Sequence, residues 1–223
     1  EFIGSSKAGI NTAALENWCY QVTFRVEEGN TAGFVMAARD RENYVLFEVD
    51  LKTRYLKAFA YSDCAWNGSR ESGAVSEIVF LGKKSKYWIS KEAVPEGTEE
   101  QSQQIVWIVK KRTVTVKING VPIIEQEEDF LPPNPPNQPR KSYLMLVGFR
   151  QVSNRAFYQK VVISDAVTKE IYLQEDFTDS SGVFSSLGTV KNGELKVDHV
   201  FELACPCPGL HLQKIFYLDQ KVH

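Results

Sequence analysis

The sequence predicts an all-β sandwich built from antiparallel strands. Between residues 18 and 26 apolar side chains alternate with polar ones at a period of two, as expected of a half-buried strand. Segment 105–124 holds two runs rich in β-branched residues, and the second run ends at Asn119-Gly120, a dipeptide typical of tight hairpin turns. Helical periodicity is almost absent, so strands are expected to form nearly all of the core.

The remaining strands are predicted from shorter apolar runs. Residues 33–38 form a continuous apolar run that suits a strand covered on both faces, and 44–49 follows as the next strand. Four more short strands at spacings typical of sandwiches are predicted at 143–149, 157–163, 170–173 and 194–197.

Three polar segments are predicted to be loops. Segment 62–76 is turn-rich around a lone Trp66, which either stacks on a sugar at the surface or folds back as a lid over the core. Segment 131–140 contains five prolines and is predicted to be a stiff, polyproline-like connection. The polar, charged segment 90–104 is predicted to be a mobile loop.

Composition limits the partners of the chain. With 223 residues, 43% of them hydrophobic, the chain can bury a sizeable core. Lys and Arg number 26 against 28 Asp and Glu, so there is no positive surplus for phosphates, and no nucleic-acid partner is expected. No apolar run approaches the roughly 20 residues that a membrane helix needs, so no membrane partner is expected and the chain is predicted to be soluble.

The chain is predicted to contain one main domain and the start of another. Residues 1–200 are assigned to the sandwich. Residues 201–223 carry two prolines and a glycine, followed by the alternating apolar pair Leu210 and Leu212. This change of character predicts a linker and the first strand of a following β domain.

Catalysis by paired carboxylates has one candidate. Glu48 and Asp50 are alternate residues of a predicted strand, so their side chains share a face and could project into one groove. Sandwich-type glucanases use a Glu-x-Asp-x-x-Glu pattern, but Thr53 stands at the third position here. The missing carboxylate argues against catalysis, and a glucanase-like hydrolase that uses Glu48 and Asp50 is kept as an alternative.

The turn between the predicted strands 33–38 and 44–49 concentrates oxygen ligands. Asp40, Glu42 and Asn43 are hard donors of the kind that calcium prefers, and a turn can add backbone carbonyls. Polar turns are also common for a purely local reason, because Asp and Asn side chains bond their own backbone. The spacing is therefore consistent with a metal site, a sugar site or an ordinary turn.

Four segments carry a family resemblance: GFVMAARDRENYVLFEVD, TVKING, LMLVGFRQVSNRAFYQKVVISD and EDFTDSSGVFSSLGTVKNGELKV. Together they resemble the concanavalin-A-like or laminin-G-like sandwich domains attached to bacterial glycosidases. The chain looks most similar to the rhamnose-binding module of multidomain α-L-rhamnosidases of glycoside hydrolase family seventy-eight. The resemblance implies a concanavalin-A-like jelly roll, with the compartment left open between the bacterial cytoplasm and secretion.

The same resemblance implies a function and a site. The chain would be a noncatalytic domain that binds terminal L-rhamnose or a related plant sugar and adjoins downstream domains of the same polypeptide. Calcium would be held by Glu42 and Asn43, with Glu42 where the family has Asp, and Asn43 would also contact the sugar.

Chemistry alone adds further residues to the sugar cleft, because carboxylates and Arg bond hydroxyls while an aromatic face packs on C–H groups. These added residues are Asp40, Asp63, Trp66 and Arg70. The alternative within this family is a structural spacer that binds no sugar.

Overall fold

The structure is a computed structural model that describes residues 17–27, 31–38, 44–61, 76–77, 86–110, 113–128, 146–150, 155–180, 182, 185 and 188–197. The strands within these ranges are β1 (Asn17–Val26), β2 (Thr31–Ala38), β3 (Tyr44–Asp50), β4 (Tyr55–Tyr61), β5 (Ser76–Glu77), β6 (Lys86–Trp88), β7 (Gln103–Lys110), β8 (Thr113–Ile118), β9 (Val121–Glu128), β10 (Leu146–Arg150), β11 (Ala156–Asp165), β12 (Ile171–Glu175), β13 (Gly188–Lys191) and β14 (Glu194–Val197).

The described strands form two antiparallel sheets. The larger sheet has eight strands in the order β13-β14-β11-β1-β7-β8-β9, with β12 also paired to β11. The smaller sheet has six strands in the order β10-β2-β3-β4-β5, with β6 also paired to β4. The predicted fold class, an all-β sandwich of antiparallel strands, is confirmed.

Aromatic side chains from both sheets meet in the core. Phe34 of the smaller sheet lies 5.0 Å from Trp107 and 5.1 Å from Phe24 of the larger sheet, measured between ring centroids. Phe149 stacks on Tyr158 across the same interface at 3.8 Å. All five side chains are at most 1% exposed, so they fill the space between the sheets.

Two Asn-Gly dipeptides close hairpins. Asn119-Gly120 joins β8 to β9 with φ of 48° and 83°, which confirms the predicted hairpin. Asn192-Gly193 joins β13 to β14 with φ of 54° and 74°. Positive φ at both central residues matches the twist of the flanking strands and is the conformation that Asn and Gly tolerate best.

The structure corrects one loop prediction. The predicted mobile loop 90–104 is a loop only as far as residue 102, because its last two residues begin β7. It is anchored rather than mobile, because Ala93 and Val94 are 0% and 1% exposed within the core. The Asn119 amide donates to the Ala93 carbonyl at 2.8 Å, and the Arg54 guanidinium donates to the Val94 carbonyl. Two small buried residues and hydrogen bonds to their carbonyls therefore anchor this charged segment.

Several predictions fall outside the described residues. These are the proline-rich connection 131–140 and the segment 201–223, assigned to a following domain. Segment 62–76 is described only at its last residue, within β5. All three stay predictions.

The core also supplies a matched pair of substitutions. Tyr158 donates its hydroxyl to the Gly33 carbonyl at 3.1 Å, whereas the buried Tyr20 hydroxyl has no hydrogen-bond partner among the described residues. Burial raises the pKa of both phenols, so both remain protonated. We expect Tyr158→Phe to lower the free energy of unfolding by about 1 kcal/mol, because it leaves a buried carbonyl without that donor. We expect Tyr20→Phe to leave it unchanged within about 0.5 kcal/mol, or to raise it. Denaturant unfolding of both variants checks this, and an equal loss for the two would contradict it.

Candidate functional site

The outer face of the smaller sheet presents two rows of side chains away from the core. Phe47 and Val49 of β3 are buried, so the alternate residues Glu48 and Asp50 lie on the opposite face. The strand register sets the rows, which are Gly33, Glu48, Lys57 and Lys86 in the first and Thr31, Asp50, Tyr55 and Trp88 in the second. We call Glu48, Asp50, Tyr55, Lys57 and Trp88 the outer-face cluster.

The polar half of this cluster is centred on Lys57. Its Nζ lies 3.4 Å from Glu48 Oε1 and 3.8 Å from Asp50 Oδ2. The Asp50 side chain is 14% exposed, and its Oδ1 accepts the backbone N–H of Thr53 at 2.9 Å, which fixes the carboxylate at the start of the turn. The site therefore offers one ammonium and two carboxylates that are half-buried and held in place from two adjacent strands.

The apolar half of the cluster is an exposed indole. Trp88 is 55% exposed although it belongs to a sheet, and its ring meets the edge of the Tyr55 ring at 5.2 Å between centroids. The register places Tyr55 between Asp50 and Trp88 in the same row. The indole is thus supported on one side by a second aromatic ring and leaves more than half of its surface to solvent.

Arg54 sets the position of Trp88. It lies in the turn between β3 and β4 with φ of 60°, and its carbonyl accepts the N–H of Ile89, the residue after β6, at 2.9 Å. Its guanidinium donates to the carbonyls of Ile89 at 3.2 Å and Ser90 at 3.0 Å. One side chain therefore ties the end of β6 to the beginning of β4, where Tyr55 stands.

Beyond the outer-face cluster, the described part of the outer face is covered at its next row. In the next row along the strands Val35 and Leu46 pair with each other, and although they face away from the core they are 0% and 3% exposed. The outer-face cluster therefore occupies the accessible part of the described outer face, beside the turn from Leu51 to Arg54.

The site residues predicted from sequence lie outside the described residues. This holds for Asp40, Glu42, Asn43, Asp63, Trp66 and Arg70, and their roles in sugar or calcium binding stay predictions. The first three lie in the sequence between Ala38, the last residue of β2, and Tyr44, the first residue of β3. Tyr44 and Asp50 are at opposite ends of β3, about 20 Å apart for a strand of this length. Among the described residues no group of three or more His, Cys, Asp or Glu is placed to hold a metal ion.

Sequence reasoning found part of the outer-face cluster and missed the rest. The prediction that Glu48 and Asp50 share a face is confirmed, since both approach the same ammonium. Tyr55, Lys57 and Trp88 were missed because β4 and β6 were not predicted as strands. A usable signal was present in 55–61, a strand-length apolar and aromatic run in which Lys57 is the single charged residue and can be placed opposite Glu48.

Searches for similar proteins returned remote structures only. No family model matches the chain, and no curated protein matches it. Among solved structures, sheep galectin-11 is 14% identical, with 60% of this chain and 82% of that chain covered at a TM-score of 0.37. The carbohydrate-binding module CBM66 from Bacillus subtilis is 15% identical, with 60% and 72% covered at 0.35. A tetrameric galectin from the ball sponge Cinachyrella is 13% identical, with 68% and 92% covered at 0.41. Likeness at this level supports no conclusion about function.

Across the described ranges, no helix has the length and apolar character needed to span a membrane.

Proposed function

We propose that this chain is a noncatalytic carbohydrate-binding domain and that the outer-face cluster contacts the saccharide. The observation that carries the proposal is the exposed Trp88 indole beside the half-buried Glu48, Lys57 and Asp50. A pyranose has an apolar face of C–H groups and a rim of hydroxyls. An aromatic platform adjoining fixed charged donors and acceptors complements both parts.

The arrangement of the carboxylates favours binding over hydrolysis. Glycosidases that use two carboxyl groups need one as a proton donor to the glycosidic oxygen and the other as a nucleophile or base. Here Glu48 and Asp50 are both turned toward the same Lys57 ammonium. Such groups are suited to accept hydrogen bonds from sugar hydroxyls, which is a reason to propose recognition rather than the glucanase-like alternative.

The finer parts of the proposal rest on the sequence resemblance. We propose that the domain belongs to a multidomain enzyme of the α-L-rhamnosidase type and binds terminal L-rhamnose or a related plant sugar. Tethering the sugar near a catalytic domain would raise its effective concentration there. The resemblance further implies calcium held by Glu42 and Asn43, and we propose this ion as an alternative sugar contact to the outer-face cluster.

Replacement of the indole tests the proposed site. We expect Trp88→Ala to weaken saccharide binding by about tenfold or more, because loss of a central aromatic anchor costs about 2 kcal/mol and ~1.4 kcal/mol is tenfold in affinity. The measurement is calorimetric titration with L-rhamnose and a panel of neutral monosaccharides and oligosaccharides.

The matched control for this titration is Ile171→Ala. Ile171 is 57% exposed on β12 of the larger sheet, so its truncation removes a comparable exposed apolar side chain far from the site. We expect this control to bind as the unmodified protein does. If the unmodified protein binds no saccharide, the spacer alternative is correct. Equal binding by Trp88→Ala would move the site elsewhere.

A further inference from the structure

We infer that Lys57 acts as the built-in cation of the outer-face cluster, so that saccharide binding there requires no divalent metal and prefers uncharged sugars to acidic ones. This inference rests on the proposed carbohydrate-binding function and specifies the chemistry of the same site.

The position of Lys57 is the first argument. Two carboxylates on alternate residues of one strand aim at a common point, and such a pair usually draws in a cation to offset their repulsion. Here the cation is the ammonium of a side chain of the protein itself. The register places Lys57 of β4 directly opposite Glu48 of β3. Its Nζ lies 3.4 Å from Glu48 Oε1 and 3.8 Å from Asp50 Oδ2, so the ammonium itself offsets the charge of both carboxylates.

The hydrogen-bonding capacity of the three groups is the second argument. A lysine ammonium has three N–H donors, and Lys57 donates one to Glu48 Oε1 while Asp50 lies at ion-pair distance, so donors remain for a ligand oxygen. Among the described residues only Lys57 contacts the Glu48 carboxylate, through Oε1, which leaves Oε2 able to accept a bond. Adjacent sugar hydroxyls fit this pair, because one can donate to Glu48 while its neighbour accepts from Lys57.

Charge gives the preference among sugars. Glu48, Asp50 and Lys57 together carry one net negative charge, and the three side chains are only 28%, 14% and 25% exposed, which limits screening by solvent. Lys86 is the neighbour of Lys57 in the same row and adds a positive charge, but its side chain is exposed and therefore more strongly screened. The carboxylate of a uronic acid would meet two like charges at short range. An uncharged sugar keeps the same hydroxyl contacts without this repulsion.

The test is a titration of the full chain with L-rhamnose and neutral saccharides, in excess EDTA and again in excess calcium chloride. We expect the unmodified protein to bind its best neutral saccharide equally in both solutions, within about twofold. We expect D-galacturonic acid to bind at least about tenfold more weakly than that neutral saccharide. We expect Lys57→Met, which keeps most of the side-chain volume but removes the ammonium, to lose about tenfold or more in both solutions.

The control for the lysine is Lys110→Met, because Lys110 is exposed at the end of β7 in the larger sheet. It is expected to bind like the unmodified protein. If binding by the unmodified protein vanishes in EDTA, the inference is overturned and the calcium proposed at Glu42 and Asn43 is favoured instead. This outcome does not depend on whether Lys57→Met folds. Full binding by a folded Lys57→Met, or equal binding of galacturonic acid, also overturns it. Absence of binding in both solutions instead defeats the proposed function itself.

Discussion

Trp107→Ala is expected to lower the free energy of unfolding by about 4 kcal/mol, because truncating a fully buried Trp removes its packing and leaves a cavity. Trp107 is 0% exposed and lies between the two sheets. Its ring centroid is 5.3 Å from Tyr20, 5.0 Å from Phe34 and 5.9 Å from Phe47, so one residue of β7 touches rings on three other strands. A loss of this size is a large share of the roughly 5–15 kcal/mol that stabilises a typical domain.

The measurement is equilibrium unfolding in urea followed by far-ultraviolet circular dichroism. Trp88→Ala is the matched control, since it makes the same replacement at an indole that is 55% exposed. We expect the control to cost under ~1 kcal/mol, as surface substitutions usually do. Equal losses at the two positions would contradict the assignment of Trp107 to the core and of Trp88 to the surface.

Arg54→Met is expected to have the second largest effect, about 3 kcal/mol of lost stability, because hydrogen bonds to charged groups contribute about 1.5–3 kcal/mol each. Arg54 donates to the carbonyls of Ile89 and Ser90 at 3.2 Å and 3.0 Å, and also to that of Val94. Removal of the guanidinium leaves three partly buried acceptors without this donor.

Two further variants separate the causes of this effect. Arg54 also lies 3.6 Å from Glu99, whose side chain is 32% exposed, and such a pair contributes at most about 1 kcal/mol. We therefore expect Glu99→Gln to change stability far less than Arg54→Met. Arg54→Lys keeps the charge but lacks the planar guanidinium with its several fixed N–H donors. We therefore expect most of the loss of stability to persist in this variant. Urea unfolding measures all three, and a large effect of Glu99→Gln would show that the ion pair dominates.

The strands that could be predicted are those whose own sequence alternates between buried and less buried residues, independently of the strands they pair with. In β1 every second residue is buried along its whole length, and that alternation is readable without knowledge of its neighbours. β6 is different because it has only three residues and exists through its pairing with β4. The hairpin at Asn192-Gly193 was readable in principle, since it uses the same dipeptide as the predicted hairpin at Asn119.

The candidate site was less predictable because it depends on register. Glu48 faces Lys57 only because the turn from Leu51 to Arg54 has its particular length, and a slip of one residue would put Lys57 on the core face. Trp66 looked the better sugar ligand from sequence, since its neighbours are small and polar. The exposure of Trp88 follows from its place on an edge strand, which no local pattern reveals.

The most direct measurement of the central claim is a saccharide titration followed by the indole N–H signals in a two-dimensional nitrogen–proton NMR spectrum. The chain has four Trp residues, so few signals need assignment, and Trp88→Phe identifies the one from the outer-face cluster. A sugar bound at that cluster is predicted to shift the Trp88 signal in a saturable manner and to leave those of the buried Trp18 and Trp107 nearly unchanged. A saturable shift confined to Trp66, or no shift with any saccharide, would contradict the claim.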